Sequence, residues 1–98
     1  MAPRRLVVHP DAIAEAESAR QWYADRSEPA AAAFMLEIDD AIDSISEAPR
    51  RWPTYLHGTR RLVFRRFPFL LIYRESKDMV LVVALAHAKR KPGYWKGR

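Results

Sequence analysis

Residues 59–87 read TRRLVFRRFPFLLIYRESKDMVLVVALAH, and along this stretch the hydrophobic period is two. Arg61-Leu62-Val63-Phe64-Arg65 alternates as a half-exposed strand does, because successive side chains leave opposite faces of a sheet. Phe67-Pro68-Phe69 reads as a tight connection into Leu70-Leu71-Ile72-Tyr73. Glu75-Ser76-Lys77-Asp78 supplies a polar hairpin loop. Met79 to Ala86 is the most β-rich run and has no polar member, which predicts a central strand ended by His87.

Upstream the period is that of a helix. Leu6-Val7-Val8 is a short apolar run ended by His9-Pro10, consistent with a first strand. Pro10 suits the first turn of a helix, and Asp11 favours the positive end of the helix dipole. Ala12, Ile13, Ala16, Ala19, Trp22 and Tyr23 recur at spacings of three and four, with Glu15, Ser18, Gln21 and Asp25 on the other side. The spacing predicts an amphipathic helix over 11–25. After a turn at Arg26 to Pro29, with Ser27 or Glu28 as cap, a longer stripe runs through Ala31, Phe34, Met35, Ile38, Ala41, Ile42 and Ile45 until Pro49 stops it. Phe34, Ile38, Ile42 and Ile45 should meet Leu70, Ile72, Val82 and Ala84 or their strand neighbours. The order is β-α-α-β-β-β. It predicts an α+β fold: a helical hairpin on one face of a mostly antiparallel four-stranded sheet, with the aromatic stretch 50–59 packed down as a connection. Residues 88–98 are expected to form an irregular basic tail.

Ninety-eight residues make one domain, 1–98, with no room for a second core. A chain this short needs nearly every large apolar side chain inside. There is no cysteine, so no disulfide framework and no thiolate metal site. The stretch from Met1 to Val8 is too short for a signal peptide, and no segment has the length of a membrane span, which places the protein in the cytoplasm. The net charge of +5 is very unevenly divided. Residues 1–48 hold four Lys/Arg and ten Asp/Glu, a sum of −6; residues 49–98 hold thirteen and two, a sum of +11. Such a chain folds into something close to a dipole whose positive half attracts polyanions or an acidic protein.

Several chemistries are absent. With only Gly58, Gly93 and Gly97 there is no glycine-rich phosphate loop. His9, His57 and His87 share no metal-ligand spacing, so neither metal nor cofactor is expected. What remains is a basic and aromatic set in the second half. Arg60, Arg65, Arg66, Arg74, Lys89, Lys91 and Trp95 are candidates for binding a partner. Arg61, His87, Arg90 and Tyr94 could serve metal-free RNA cleavage: a base for the 2′-hydroxyl, arginines for the charged phosphate, and an acid for the leaving oxygen. His87 and Tyr94 are the proton-transfer candidates. The plainer alternative is that the strand arginines only solubilise the sheet, His87 is packed, and Tyr94-Trp95 covers the end of the core.

These residues also carry a family resemblance. Trp22-Tyr23, the Phe34 stripe, Ala48-Pro49 with Trp52-Pro53, Arg60-Arg61, Phe67-Pro68-Phe69 with Ile72-Tyr73, and Ala84 to Trp95 follow the layout of the RelE/ParE toxins over nearly the whole chain. The resemblance implies a type II toxin that arrests growth and is held inactive in a hetero-oligomer with a cognate, acidic, partly disordered antitoxin. It implies one of two targets: messenger RNA on the ribosome, cut by RelE-like members, or DNA gyrase, inhibited by ParE-like members. A degenerate, harmless antitoxin-binding module is a third possibility. The ribonuclease roles carry over onto Arg61, Arg90 and Tyr94 alone, since Tyr55-Leu56-His57-Gly58-Thr59 lacks the lysines that precede the second strand in that branch. The tail Pro92-Gly93-Tyr94-Trp95 is closer to ParE-like members, so a gyrase-directed toxin is expected.

Overall fold

The computed structural model describes residues 4–98. The part of the N-terminal reading that falls on residues 1–3 lies outside them. The elements are β1 (Arg5–Val8), α1 (Pro10–Ala24), α2 (Glu28–Glu47), β2 (Thr54–Tyr55), a 3-10 turn (Leu56–Gly58), β3 (Thr59–Val63), β4 (Phe69–Glu75) and β5 (Met79–His87). The sheet order is β1-β5-β4-β3-β2, with β1 parallel to β5 and every other pair antiparallel. The α+β architecture is as expected, but the sheet has five strands where four were predicted. The extra strand is two residues long and lies inside the aromatic connection. Left-handed backbone at His57 (φ 60°) and Gly58 (φ 72°) turns the chain back so that Thr54 and Tyr55 pair with Arg60 and Thr59. Two residues carry no periodicity, so the sequence has no pattern to read there.

Local signals account for the helix ends. The His9 imidazole accepts from the Asp11 N–H (3.0 Å) at the start of α1, and Ser27 Oγ accepts from the Ala30 N–H (3.2 Å) at the start of α2. α2 ends at Ala48, because the residue before a proline is pushed out of the helical region. Its buried stripe is Ala31, Phe34, Ile38, Ala41 and Ile45, with Ile42 half-buried beside it. The strand residues it shares a core with are Leu62, Phe69, Leu71, Tyr73, Val80, Val82 and Leu85. Leu70, Ile72 and Ala84, expected on that face, belong to the opposite one. Leu70 and Ile72 follow the regular alternation of β4, whose Phe69, Leu71 and Tyr73 face the helices. Ala84 is displaced by a bulge: Ile72 pairs with Ala84 and Tyr73 with Val82, so Val83 is an extra residue of β5 and parity fails across it. Replacing Ile38 by Ala should cost about 2–5 kcal/mol in thermal unfolding, and a near-neutral result would contradict this packing.

α1 buries only Ala12 and Ala19, while Ile13 and Trp22, predicted on its apolar side, are 52% and 53% exposed. Small alanines let the helix lie close to β5 and leave the larger side chains outside. The opposite face of the sheet is covered by the C-terminal segment, which is turned and packed rather than loose. Trp95, 1% exposed, clusters with Ile72, Val83, Ala84 and Ala86, flanked by Tyr55 and Tyr94. Gly93 (φ 94°) makes this fit: a Cβ there would stand 3.1 Å from His57 Nε2.

Tyr73 is fully buried and donates to the Pro49 carbonyl, tying β4 to the end of α2. Burial, with Glu75 adding to it and Arg60 opposing it, pushes its pKa from 10 up to about 12. A phenol raised in the folded state stabilises the fold below its unfolded pKa, and that stability is lost as pH rises. Stability should therefore fall between about pH 10 and 12, and Tyr73→Phe should flatten this part of the pH profile of urea unfolding. An unchanged alkaline limb would contradict the assignment.

Candidate functional site

β1 pairs with β5 only as far as Val82, where the His9 N–H still reaches the Val82 carbonyl (2.8 Å). Beyond that point, among the described residues, the edge of β5 has no strand beside it. Glu15 fills the gap from α1: Oε1 accepts from the Leu85 N–H (3.0 Å) and from the Arg98 guanidinium (2.9 Å), and Oε2 from Arg90 (3.2 Å). Arg98 also donates to the Val83 carbonyl (3.0 Å) and lies 3.4 Å from Asp11. Burial works against the Arg98 charge, but the hydrogen bond and negative charge of Glu15 outweigh it and raise its pKa. Glu15, read from the sequence as one of a solvated helix face, is thus the hub that joins α1, the open edge of β5 and the tail. Nothing in its spacing marks it; its partners lie 70 and more residues away.

Arg61 and Tyr94 lie on the sheet face opposite the helices, and Arg90 stands at the sheet edge, over the Tyr94 ring and bonded to Glu15 of α1, with aromatic rings between the two arginines. Arg61 stands 4.6 Å over the Tyr55 ring; Tyr55 neighbours Trp95 (5.6 Å), Trp95 neighbours Tyr94 (5.2 Å), and Arg90 lies 3.5 Å over Tyr94. The Tyr94 hydroxyl is buried without a hydrogen bond of good geometry. Burial, then the nearby Glu15 carboxylate, raises its pKa well above that of an ordinary phenol. His87 is on the other face, edge-on to Phe69 (5.1 Å), its Nδ1 accepting from the Lys89 N–H (3.1 Å). Arg61 is two strands away from it, roughly 10 Å across the sheet at about 4.8 Å per strand. Arg90 and Tyr94 are therefore brought together, and His87 and Arg61 are kept apart.

The binding candidates divide in the same way. Arg60 donates to the Arg50 and Trp52 carbonyls, and Arg74 to the Arg98 and His57 carbonyls, so both are built into the fold. Trp95 is core. Arg65, Arg66, Lys89 and Lys91 are exposed, and among the described residues none is in an ion pair. A cleft of about 700 Å³ opens between α1 and the end of β5, with Trp22, Tyr23, Phe69 and Leu85 as apolar walls and His87 and Arg90 among its polar groups. Among the described residues no cluster of His, Cys, Asp or Glu could hold a metal, and no helix is long and apolar enough to cross a membrane. Such an arrangement suits binding an amphipathic or anionic partner.

The solved structure described as the chromosomal ParDE TA system from P. aeruginosa has the same fold. It superposes with a TM-score of 0.77 at 17% identity, covering 88% of this chain and 97% of that one. The chain is also 35% identical over 68 residues to "Putative toxin Y4kP" of Sinorhizobium fredii, spanning 66% of this chain and 71% of the relative. A helical hairpin on one face of a mixed sheet is thus the fold this chain shares with a protein of that ParDE system. The sequence model of the family described as "ParE toxin of type II toxin-antitoxin system, parDE" matches residues 6–92, and the chain belongs to that family.

Proposed function

We propose that this chain arrests growth by binding DNA gyrase rather than by cutting RNA, and that a cognate acidic antitoxin neutralises it. The observation that carries the reading is the engagement of the cleavage candidates with one another and with the core. Tyr94 keeps its proton inside the aromatic stack, Arg90 is held by Glu15, and His87 faces the helices. A general acid must reach the leaving oxygen; the Tyr94 hydroxyl is buried, and His87, on the wall of the cleft, stands apart from Arg61 and from the Tyr94 face of the sheet. The antitoxin is steered by the positive half of the chain and lays an apolar-faced segment into the cleft beside Trp22. Purified chain added to gyrase and relaxed plasmid should inhibit supercoiling, and the neighbouring gene product should restore it. Undiminished supercoiling at saturating protein would overturn the gyrase reading. Restored growth without physical association would overturn the antitoxin one.

A further inference from the structure

Four of the thirteen Lys/Arg of the second half stand at one end of the sheet with no acid of that half among them. The β3–β4 loop and the turn after β5 are adjacent there: Phe69 pairs with His87, and the Ala88 N–H donates to the Pro68 carbonyl (2.7 Å). Together they present Arg65, Arg66, Lys89 and Lys91, all exposed. Glu37, the carboxylate closest to the two arginines in the contacts of this loop, is used by their backbone, accepting from the N–H groups of Arg65 and Arg66. That bond fixes the loop, and among the described residues neither guanidinium group is in an ion pair. The two acids of the second half sit at the other end of the sheet, on and after the end of β4, where Glu75 binds Arg4 (3.0 Å) and Arg50 (3.1 Å). On the helix side Asp25 follows α1, Glu28 opens α2, and Glu37 and Asp40 of α2 line a cleft with Arg65 and Arg66, so the surplus belongs to the sheet layer.

We infer that this basic pole binds the phosphate backbone of duplex DNA. Two arginine forks on a fixed loop and two lysines on the adjoining turn form a row of phosphate donors. Duplex is favoured over a single strand because the rings that would stack unpaired bases are occupied. Trp95 is buried, Tyr55 and Tyr94 lie under Arg61 and Arg90, and the exposed Trp22 is covered by Arg26 at 3.6 Å. Contact through phosphates alone implies weak dependence on sequence and strong dependence on salt. The inference is independent of whether gyrase is the target.

The test is fluorescence polarisation of the full chain with a labelled duplex of mixed sequence, titrated over salt. Four phosphate contacts give a slope of log K against log salt near about −3.6. Arg65→Gln/Arg66→Gln should reduce that slope by about 2 and weaken binding at least about tenfold at 0.1 M salt. Lys89→Gln/Lys91→Gln, on a separate segment, should do the same while circular dichroism stays unchanged. Lys77→Gln, in the loop at the other end of the sheet, should have little effect. The inference is overturned if no duplex binds at low salt, if a single strand of equal length binds as tightly, or if the pole substitutions leave DNA binding intact. Pole substitutions that weaken only capture of an acidic antitoxin would likewise overturn it and assign the pole to protein.

Discussion

Replacing Trp95 by Ala should destabilise the protein by about 3–5 kcal/mol, as removal of a fully buried large ring does. Domains of this size are stable by about 5–15 kcal/mol, so the variant should melt well over about 10 °C lower or fail to accumulate. The ring is the centre of the second core: it seals Ile72, Ala84 and Ala86 on the face that the helices do not cover. Trp95→Phe should recover much of the loss, because a ring of smaller volume still fills the site and the Trp95 indole N–H makes no hydrogen bond. Differential scanning fluorimetry of the two variants checks this. If Trp95→Ala melted within a few degrees of the parent, the C-terminal segment would be a loose tail, and the closed far face described above would be wrong.

Glu15→Ala should cost about 2–4 kcal/mol, a large effect for one carboxylate on a helix that otherwise buries only alanines. It leaves the Leu85 N–H without an acceptor and removes the main partner of Arg98, whose side chain is only 15% exposed. Arg98 keeps the Val83 carbonyl and Asp11, which limits the loss. Glu15→Gln retains an acceptor for Leu85 and should be milder. Urea unfolding distinguishes the two, and a cost below about 0.5 kcal/mol for the alanine variant would place Glu15 with ordinary surface charges.

The main elements were legible because they rest on local patterns. The Phe34-Ile38-Ile45 stripe, the Ser27 cap, the Pro49 stop and the apolar run of β5 each announce themselves within a few residues. The features that were not legible are tertiary. The Val83 bulge puts Ala84 on the face opposite to Val82, and in β4, apolar on both faces, no local signal says that Leu71 and Tyr73 rather than Leu70 and Ile72 meet the helices. Glu15 has the spacing of a solvated residue and gains its role from Leu85, Arg90 and Arg98. The arginines of the second half look alike in sequence, yet Arg60 and Arg74 bind carbonyls while Arg65 and Arg66 stay free. Trp95 was read as a binding residue with core cover as the alternative, and its burial depends on the backbone freedom of Gly93 beside His57.

On the proposed reading Tyr94, Arg90 and His87 serve the fold and a binding surface and take no part in cleaving RNA. Mapping the ends of messenger RNA on ribosomes shortly after the chain is expressed addresses this most directly. Growth should stop while messages remain intact, with no new ends at fixed positions within codons. New ends in codon register, abolished by Tyr94→Phe in protein that is still folded, would contradict the account.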